Sequence, residues 1–326
     1  MFAIRLHRFG PAENLRYDEI PDPEPGPGQV RITVAAAGVH LLDTVIRSGV
    51  SGGPFPLPEL PMTPGREVAG VVDALGEGVP AHWLGRRVVA HLGQASGGYA
   101  ELAVAPVTSL HEIPGDLSPE GAVAMIGTGR TAVAILEVAG IEADDTVLVT
   151  AAAGGLGHLL VQAALGAGAT VVGVAGGPTK VERARALGAH VAVDYTQPEW
   201  TEEVRNALGA REVTVVLDGV GGELGHGALE LLSPGGRIIL YGWSSGKPTR
   251  ITTDDLYHRG ITASAAVGPH ILRRPNGLRE LEERALAEAA AGRLTPLTHP
   301  FPLARAADAH RAVENRGTMG KTVLVP

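Results

Sequence analysis

Residues 151–157 (AAAGGLG) have the composition of a loop that binds phosphate groups. The segment follows a short apolar run and opens an amphipathic stretch, and Ala152, Gly154 and Gly157 hold the three small-residue positions of a G/A-x-G-x-x-G pattern. Between a strand and a helix, such glycines let the backbone approach a pyrophosphate at the helix N-terminus, where free N–H groups and the helix dipole favour anions. We therefore predict a dinucleotide site, the alternative being a glycine turn that binds nothing.

The residues that follow this segment indicate which dinucleotide to expect. NAD-selective sites place an Asp or Glu about 20 residues beyond the glycines, where it accepts from the ribose 2′-hydroxyl. No acidic residue lies from Gly154 through Thr179, and the next residue is the basic Lys180. A 2′-phosphate needs cationic donors and is repelled by a carboxylate. The residue types thus favour NADP, unless Lys180 is an ordinary solvated charge at a helix start.

Other kinds of chemistry have little support in the sequence. The chain has 326 residues and no cysteine, which excludes disulfides, thiolate nucleophiles and cysteine-based zinc sites. Its 12 histidines are scattered, and no two lie three or four residues apart, so no helix presents a paired metal face and we expect no bound metal. Neither a Ser-His-Asp order nor a G-x-S-x-G elbow is present, which disfavours hydrolase chemistry.

Charge and hydropathy narrow the expected partners. The formal net charge is −8 and no basic stripe stands out, so we expect no nucleic-acid partner. No apolar run reaches about 18 residues, so we expect no membrane-spanning helix. The N-terminus is typical of a strand rather than a signal peptide. Together with the lack of cysteine, this predicts a reducing cytoplasm.

The elements that must position the glycine segment divide the chain into three parts. Residues 1–121 carry short β-type runs separated by Pro and Gly, which predicts a compact β-rich domain. Over residues 122–265 strands and helices alternate, which indicates an α/β fold with a doubly wound parallel sheet. Residues 266–326 end in a helix and a strand that we assign back to the first domain.

The predicted elements follow from apolar periodicity. We predict helices over 122–125, 131–139, 158–165, 179–187, 224–232, 278–292 and 306–314. We predict strands over 30–36, 68–75, 87–90, 146–150, 169–175, 213–217, 237–241, 260–267 and 320–326.

Taken in order, several short motifs resemble one protein family over nearly the whole chain. They are residues 38–49 (GVHLLDTVIRSG), 64–70 (PGREVAG), 151–157 (AAAGGLG), 218–222 (DGVGG), 241–245 (YGWSS) and 320–325 (GKTVLV). The chain resembles the zinc-independent branch of the medium-chain dehydrogenase/reductase superfamily, specifically the zeta-crystallin-like NADPH:quinone oxidoreductases. The resemblance implies a Rossmann domain for NADP(H), a GroES-like substrate domain, a homodimer through edge strands near 260–267, and substrate bound between the domains.

The same resemblance bears on metal use. Zinc-dependent alcohol dehydrogenases of the superfamily have Gly-His-Glu where this chain has Gly65-Arg66-Glu67, and a cationic Arg cannot ligate zinc. The matching cysteine ligands are absent too. A quinone or conjugated carbonyl is already a good hydride acceptor, so positioning and hydrogen-bond donors can suffice without a Lewis acid.

The resemblance implies a set of cofactor-binding residues, and residue chemistry in the segment that follows Val39 supplies the catalytic candidates. The cofactor residues are Thr128, Thr131, Gly154, Gly155, Leu156, Gly157, Gly176, Lys180, Tyr195, Gly222, Gly242, Ser244, Arg316 and Lys321. The catalytic candidates are His40, Asp43 and Arg47.

The substrate side departs from the family, which usually has Asn in place of His40 and an aromatic residue in place of Ser51. His40 is either a donor to a substrate oxygen or a structural residue of the cleft. Asp43 orients His40 or the cofactor, or holds the adjoining turn. Arg47 is an oxyanion donor or a salt-bridge partner for Glu67.

Two other functions stay open on the sequence. One is reduction of the double bond of alkenals or enoyl thioesters, which needs an acid near the α carbon, with His40 and Tyr99 as candidates. The other is a non-catalytic NADPH-binding scaffold or sensor.

Overall fold

The computed structural model describes residues 1–50, 56–94, 96–268, 271, 273 and 277–326. These residues form two compact units. The first unit is Met1–Thr128 with Pro296–Pro326, and the second is Gly129–Thr295.

The strands are numbered in chain order. They are β1 Phe2–Leu6, β2 Leu15–Glu19, β3 Gln29–Gly38, β4 Glu67–Leu75, β5 Arg87–His91, β6 Leu102–Pro106, β7 Leu110–Glu112, β8 Thr146–Thr150, β9 Thr170–Ala175, β10 Val191–Asp194, β11 Val213–Asp218, β12 Leu232–Leu240, β13 Thr262–Ala265, β14 Thr298–Pro302 and β15 Lys321–Val325.

The α-helices are numbered in the same way. They are α1 Leu41–Ser48, α2 Pro119–Ala124, α3 Arg130–Ala139, α4 Gly155–Gly166, α5 Pro178–Ala186, α6 Trp200–Leu208, α7 Gly222–Leu231, α8 Thr253–Arg259, α9 Arg279–Ala290 and α10 Ala306–Glu314.

The second unit is built on a six-stranded sheet with the order β10-β9-β8-β11-β12-β13. Every neighbouring pair in it is parallel. β8, at its centre, is buried at every residue, as expected of a parallel strand covered on both faces. The predicted doubly wound sheet is confirmed, and its strand order reverses beside β8, where ligands bind in such folds.

The first unit contains a seven-stranded sheet, β14-β15-β3-β4-β5-β7 with β6 paired to β3, and the two-stranded sheet β1-β2. Its apolar core is formed by small and branched side chains from the larger sheet, among them Ile32, Val68 and Val88. The C-terminal strand β15 pairs with β3 and β14. The end of the chain therefore returns to the first unit, as predicted.

The unit boundaries lie later than the sequence predicts. The first unit extends to Thr128 rather than residue 121 because α2 packs on β3 and β4. The return begins at Pro296 rather than residue 266, because α9 packs on α3 within the second unit.

One helical segment of the described chain, Pro119–Ala139, is long and apolar enough to cross a membrane by length and composition. The sequence predicts two separate helices here, 122–125 and 131–139, whereas α2, a π-helical turn and α3 follow one another without a break. Of its most apolar window, 67% is buried inside the protein, as in the core helix of a folded domain.

Candidate active site

The glycine segment after β8 forms the predicted turn. Ala151 has a left-handed backbone with φ of 50°, and the Gly154 N–H donates to the Ala151 carbonyl at 2.8 Å. Helix α4 begins at the next residue. A Cβ at Gly157 would lie 2.2 Å from the Ala151 carbonyl oxygen, so only glycine lets this helix start so close to the strand. The first N–H groups of α4, which lack partners within a helix, are available to an anion.

The carboxyl ends of the parallel strands form one edge of the sheet, here called the nucleotide edge. It is defined by the ends of β8, β9, β10, β11 and β12 and the segments that follow them. The predicted cofactor residues of the second unit that follow these strands are Gly154, Gly155, Leu156, Gly157, Gly176, Lys180, Tyr195, Gly222, Gly242 and Ser244. Thr131 lies in the first turn of α3. The Tyr195 ring is buried and packs beside Gly176, which makes a flat apolar wall at the end of β9.

Asp218 is an anchor of this edge that sequence reasoning missed. Its Oδ1 accepts from the Thr150 hydroxyl at 3.0 Å and from the Val220 N–H at 2.9 Å. The Thr249 hydroxyl donates to Oδ2. Asp218 thereby ties the ends of β8 and β11 to the loop after β12. The signal in the sequence was the DGVGG motif at 218–222, of which the prediction used only the last glycine.

Asp194 places a carboxylate at the nucleotide edge. It lies beyond residues 154–179, the stretch in which an acidic residue was expected for NAD, and was therefore not predicted. It ends β10, opposite Ala175 of β9. The Gly177 N–H donates to it at 2.9 Å, and the Thr196 hydroxyl at 2.7 Å. Burial opposes ionisation of Asp194, but these hydrogen bonds outweigh it and lower its pKa. Because its oxygens already accept from the protein, the carboxylate holds the turn around Gly177.

In the first unit, three side chains form a group that we call the charged cluster: His40, Glu67 and Lys321. His40 Nε2 lies 2.7 Å from Glu67 Oε1 and 2.8 Å from Lys321 Nζ. Lys321 Nζ lies 3.0 Å from Glu67 Oε2. The Lys321 side chain is 5% exposed and that of Glu67 is fully buried, whereas His40 is 30% exposed. The cluster joins two residues predicted for different roles, His40 for catalysis and Lys321 for the cofactor.

Two glycines and two basic side chains surround the carboxylate of Glu67. A Cβ at Gly38 would lie 2.3 Å from Glu67 Oε2, and one at Gly127 would lie 1.5 Å from Oε1. Burial by itself would raise the pKa of Glu67, but the electrostatic interactions with His40 and Lys321 outweigh burial and hold this pKa well below its ordinary value. Glu67 is therefore an ionised carboxylate at neutral pH.

Asp43 holds the turn before α1. Its Oδ2 accepts from the His40 backbone N–H at 2.8 Å and from the Tyr99 hydroxyl at 2.9 Å. The Tyr99 oxygen also lies 3.3 Å from His310 Nε2. Of the roles left open for Asp43, the geometry favours support of the turn, with His40 positioned through its backbone.

Tyr99 is not available as the acid for alkene reduction. Its side chain is fully buried, and its hydroxyl proton is donated to Asp43. Burial, with the charge of Asp43, raises the pKa of Tyr99 well above its ordinary value. Burial likewise lowers the pKa of His310 to about 4, so this neighbour is neutral. Of the two candidates, His40 alone has a partly exposed side chain.

Arg47 pairs with Glu314 of α10 rather than with Glu67, so that part of the prediction is wrong. The Arg47 side chain is 3% exposed. Sequence reasoning missed this pair because the two residues lie 267 positions apart. The contact ties α1 to α10.

The remaining predicted residues belong to the first unit or lie outside the description. Thr128 lies in the π-helical turn after α2. Arg316 is exposed, with φ of 54°, in the loop before β15. Ser51 lies outside the described residues.

The described residues contain no group of three or more His, Cys, Asp or Glu side chains able to hold a metal ion. Arg66 occupies the position of the zinc-binding histidine of zinc-dependent relatives, and its Nε–H donates to the Gly93 carbonyl at 2.8 Å. The nearby His91 accepts at Nδ1 from the Gly93 N–H at 3.1 Å. The nucleotide edge, by contrast, fits a dinucleotide, because its glycine turn leaves room and N–H donors for a pyrophosphate.

Two family profiles match the chain. The family described as zinc-binding dehydrogenase matches residues 155–284, in the second unit. The family described as alcohol dehydrogenase GroES-like domain matches residues 26–115, in the first.

Similar proteins align over essentially their whole length. A 2-haloacrylate reductase of a Burkholderia species is 34% identical over 100% of this chain and 99% of its own. The quinone oxidoreductase of Sus scrofa is 32% identical over 100% of this chain and 98% of its own. The crystal structure of Escherichia coli quinone oxidoreductase complexed with NADPH superposes with a TM-score of 0.85, at 28% identity over 100% of both chains.

Proposed function

The chain belongs to the medium-chain dehydrogenase/reductase superfamily, in its quinone oxidoreductase-like family, and is an NAD(P)-dependent oxidoreductase. From that membership we propose that it transfers hydride from NADPH to a quinone or a related conjugated carbonyl. The observation that carries the proposal is the glycine turn of residues 151–157 at the nucleotide edge, in a chain that quinone reductases match from end to end.

The protein's contribution is to bind and position. The N-terminus of α4 receives the pyrophosphate, and Lys180 on α5 provides the cation for a 2′-phosphate. The buried Tyr195 ring forms an apolar wall beside the adenosine of the nucleotide. Bound NADPH supplies the hydride. A quinone needs no Lewis acid to accept it, because the developing negative charge is delocalised over the ring.

A second candidate is reduction of a conjugated carbon–carbon double bond. The observation that favours it is the charged cluster, in which the partly exposed His40 contacts a lysine and a carboxylate. Such a reduction needs a proton at the α carbon, which a quinone does not. A relative at 34% identity is named for 2-haloacrylate, a conjugated alkene.

The test is NADPH oxidation, followed by the absorbance of the reduced nicotinamide, against a 1,4-quinone, a 2-alkenal and 2-chloroacrylate, with NADH in parallel. We expect turnover with the quinone and a preference for NADPH. Turnover with the alkenal or 2-chloroacrylate alone would support the second candidate. Tight NADPH binding with no acceptor reduced would favour the non-catalytic scaffold.

We also propose a homodimer in a reducing cytoplasm. β13 ends the six-stranded sheet and pairs only with β12 among the described strands. Most of its residues are exposed, and an open edge invites pairing with a second copy. Sedimentation equilibrium should give the mass of two chains, and a single-chain mass across micromolar concentrations would contradict the dimer.

A further inference from the structure

Trp243 is an exposed tryptophan at the nucleotide edge. It lies three residues after the end of β12, and it is 59% exposed. By contrast, Trp200 of the same unit is 6% exposed and belongs to the apolar core. An indole left in water gives up the stabilisation that burial would provide, so a large aromatic ring in this position indicates a contact with another molecule.

The backbone that carries the indole is held in place. The Ser244 N–H donates to the Gly219 carbonyl at 3.1 Å, and the Ser245 N–H donates to the Val220 carbonyl at 2.9 Å. The loop after β12 is thereby tied to the loop after β11. A contact made by Trp243 starts from an ordered backbone, which lowers the entropy cost of binding.

The order of the strands indicates which part of a dinucleotide reaches Trp243. A doubly wound sheet has two halves, each of which binds one mononucleotide. Here they are β8-β9-β10 on one side and β11-β12-β13 on the other. The proposed function assigns Lys180 and Tyr195, which follow β9 and β10, to the adenosine half of NADPH. The nicotinamide half is therefore left to the other side, where Trp243 follows β12.

An indole distinguishes the two redox states of a nicotinamide ring by their charge. The ring of NADP⁺ carries a positive charge, whereas the ring of NADPH is neutral. The face of tryptophan attracts a cation more strongly than that of any other aromatic side chain. A neutral ring gains only the stacking contact. Trp243 beside the nicotinamide would thus favour the oxidised cofactor.

We propose that Trp243 contacts the nicotinamide ring and stabilises its oxidised, positively charged form. The inference rests on the proposed use of NADPH, and it adds a residue that discriminates between the two redox states. Trp243 exchanges no atom or electron, because the hydride carries both electrons to the acceptor. Its contact strengthens as the positive charge develops on the ring, and so it favours hydride donation.

The test compares the binding of three ligands by calorimetry. They are NADP⁺, NADPH and 2′-phospho-ADP-ribose, which is NADP⁺ without its nicotinamide. In Trp243→Leu we expect NADP⁺ to bind about tenfold more weakly and NADPH about threefold more weakly. The ligand without the ring should bind as it does to wild type. Trp243→Phe keeps an aromatic face and should recover part of the NADP⁺ affinity.

Tyr257→Leu is the matched control, because it also removes an exposed aromatic ring from the second unit. It should leave the affinities for all three ligands unchanged. Equal losses for NADP⁺ and NADPH in Trp243→Leu would show that the charge of the ring is not recognised, and would overturn the proposal. So would an equal loss for 2′-phospho-ADP-ribose, which would assign Trp243 to support of the loop alone.

Tryptophan fluorescence gives a second readout that needs no turnover. NADP⁺ does not absorb the light that tryptophan emits, so it quenches an indole by contact rather than by energy transfer. We expect NADP⁺ to quench the emission of wild type and 2′-phospho-ADP-ribose to leave it unchanged. The quenching should disappear in Trp243→Phe. Quenching by NADP⁺ that persists in this variant would show contact with another tryptophan and would overturn the proposal.

The same titrations separate this inference from the proposed function. A wild-type protein that binds neither NADPH nor 2′-phospho-ADP-ribose would overturn both. Normal binding of all three ligands to Trp243→Leu would overturn the inference alone. If sedimentation equilibrium of that variant also gave the mass of one chain where wild type gives two, Trp243 would belong to a contact between copies instead.

Discussion

The nucleotide edge of the second unit and the charged cluster of the first are built in different ways. The edge uses backbone N–H groups and glycines from segments that directly follow strands, so its geometry is local. The cluster uses three side chains from the ends of β3, β4 and β15, brought together by sheet pairing. A local backbone site tolerates side-chain changes but not an added Cβ, whereas the cluster depends on charge balance.

The largest effect on stability is expected from a substitution within the charged cluster. In Glu67→Gln the buried Lys321 loses its counter-charge, which should cost about 3 kcal/mol in the free energy of unfolding. Urea denaturation measures it. Glu182→Gln, which removes one partner of the exposed pair with Arg185, is the matched control and should change little. Equal effects of the two substitutions on the free energy of unfolding would show that a buried charge pair contributes no more to stability here than an exposed one.

The pH dependence of stability sharpens the same contrast. The pKa of Glu67 is lower in the folded protein than its ordinary value of 4.5, so the unfolded chain takes up this proton first as the pH falls. The stabilisation from ionised Glu67 is complete above about pH 4.5 and is lost as the pH falls through the folded-state pKa.

The difference between wild type and Glu67→Gln in unfolding free energy should therefore narrow below that pH. Urea titrations from about pH 7 to pH 3 measure it. A difference that stays constant over this range would contradict the ionised, paired state of Glu67.

At the nucleotide edge, Gly157→Ala should weaken NADPH binding roughly 30-fold, the equivalent of about 2 kcal/mol of overpacking. The added Cβ would lie 2.2 Å from the Ala151 carbonyl oxygen and displace the start of α4. Gly166→Ala, at the other end of α4 with open space around it, is the control and should bind NADPH normally. Calorimetry measures both, and similar affinities would contradict the steric account.

The smallest expected effect distinguishes the two nucleotides. Lys180→Ala should weaken NADPH binding roughly tenfold, as for loss of one hydrogen bond to a charged group, and leave NADH binding nearly unchanged. Arg185→Ala, whose partner Glu182 lies on the same helix surface, is the control. Equal losses for NADPH and NADH in the Lys180 variant would contradict the 2′-phosphate assignment.

The contrast between the two regions also explains what the sequence revealed. The turn at Gly154 and Gly157 was predictable because strand, glycines and helix are contiguous. Asp194 escaped because it belongs to β10, a four-residue strand too short for a clear alternation. The fold class followed from the alternation of strands and helices. The boundaries between the two units could not be predicted from this alternation, because they depend on which sheet a helix packs against.

Side-chain partners across long separations were the hardest to predict. His40 and Lys321 were both selected from motifs, but nothing local indicates that they meet 281 positions apart. The pairing of Arg47 with Glu314 likewise arises from the packing of α1 on α10. Sequence patterns identified His40 and Lys321 separately. The pairing of β15 with β3 brings the two side chains together.

The central claim is that hydride passes from NADPH to a conjugated carbonyl in this protein. Single-turnover oxidation of NADPH deuterated at the transferred position tests it most directly, with a 1,4-quinone and a 2-alkenal as acceptors. The account predicts slower oxidation of deuterated than of ordinary NADPH by the quinone, and deuterium at the β carbon of any reduced alkenal. NADPH that stays bound and unoxidised with both acceptors would contradict it.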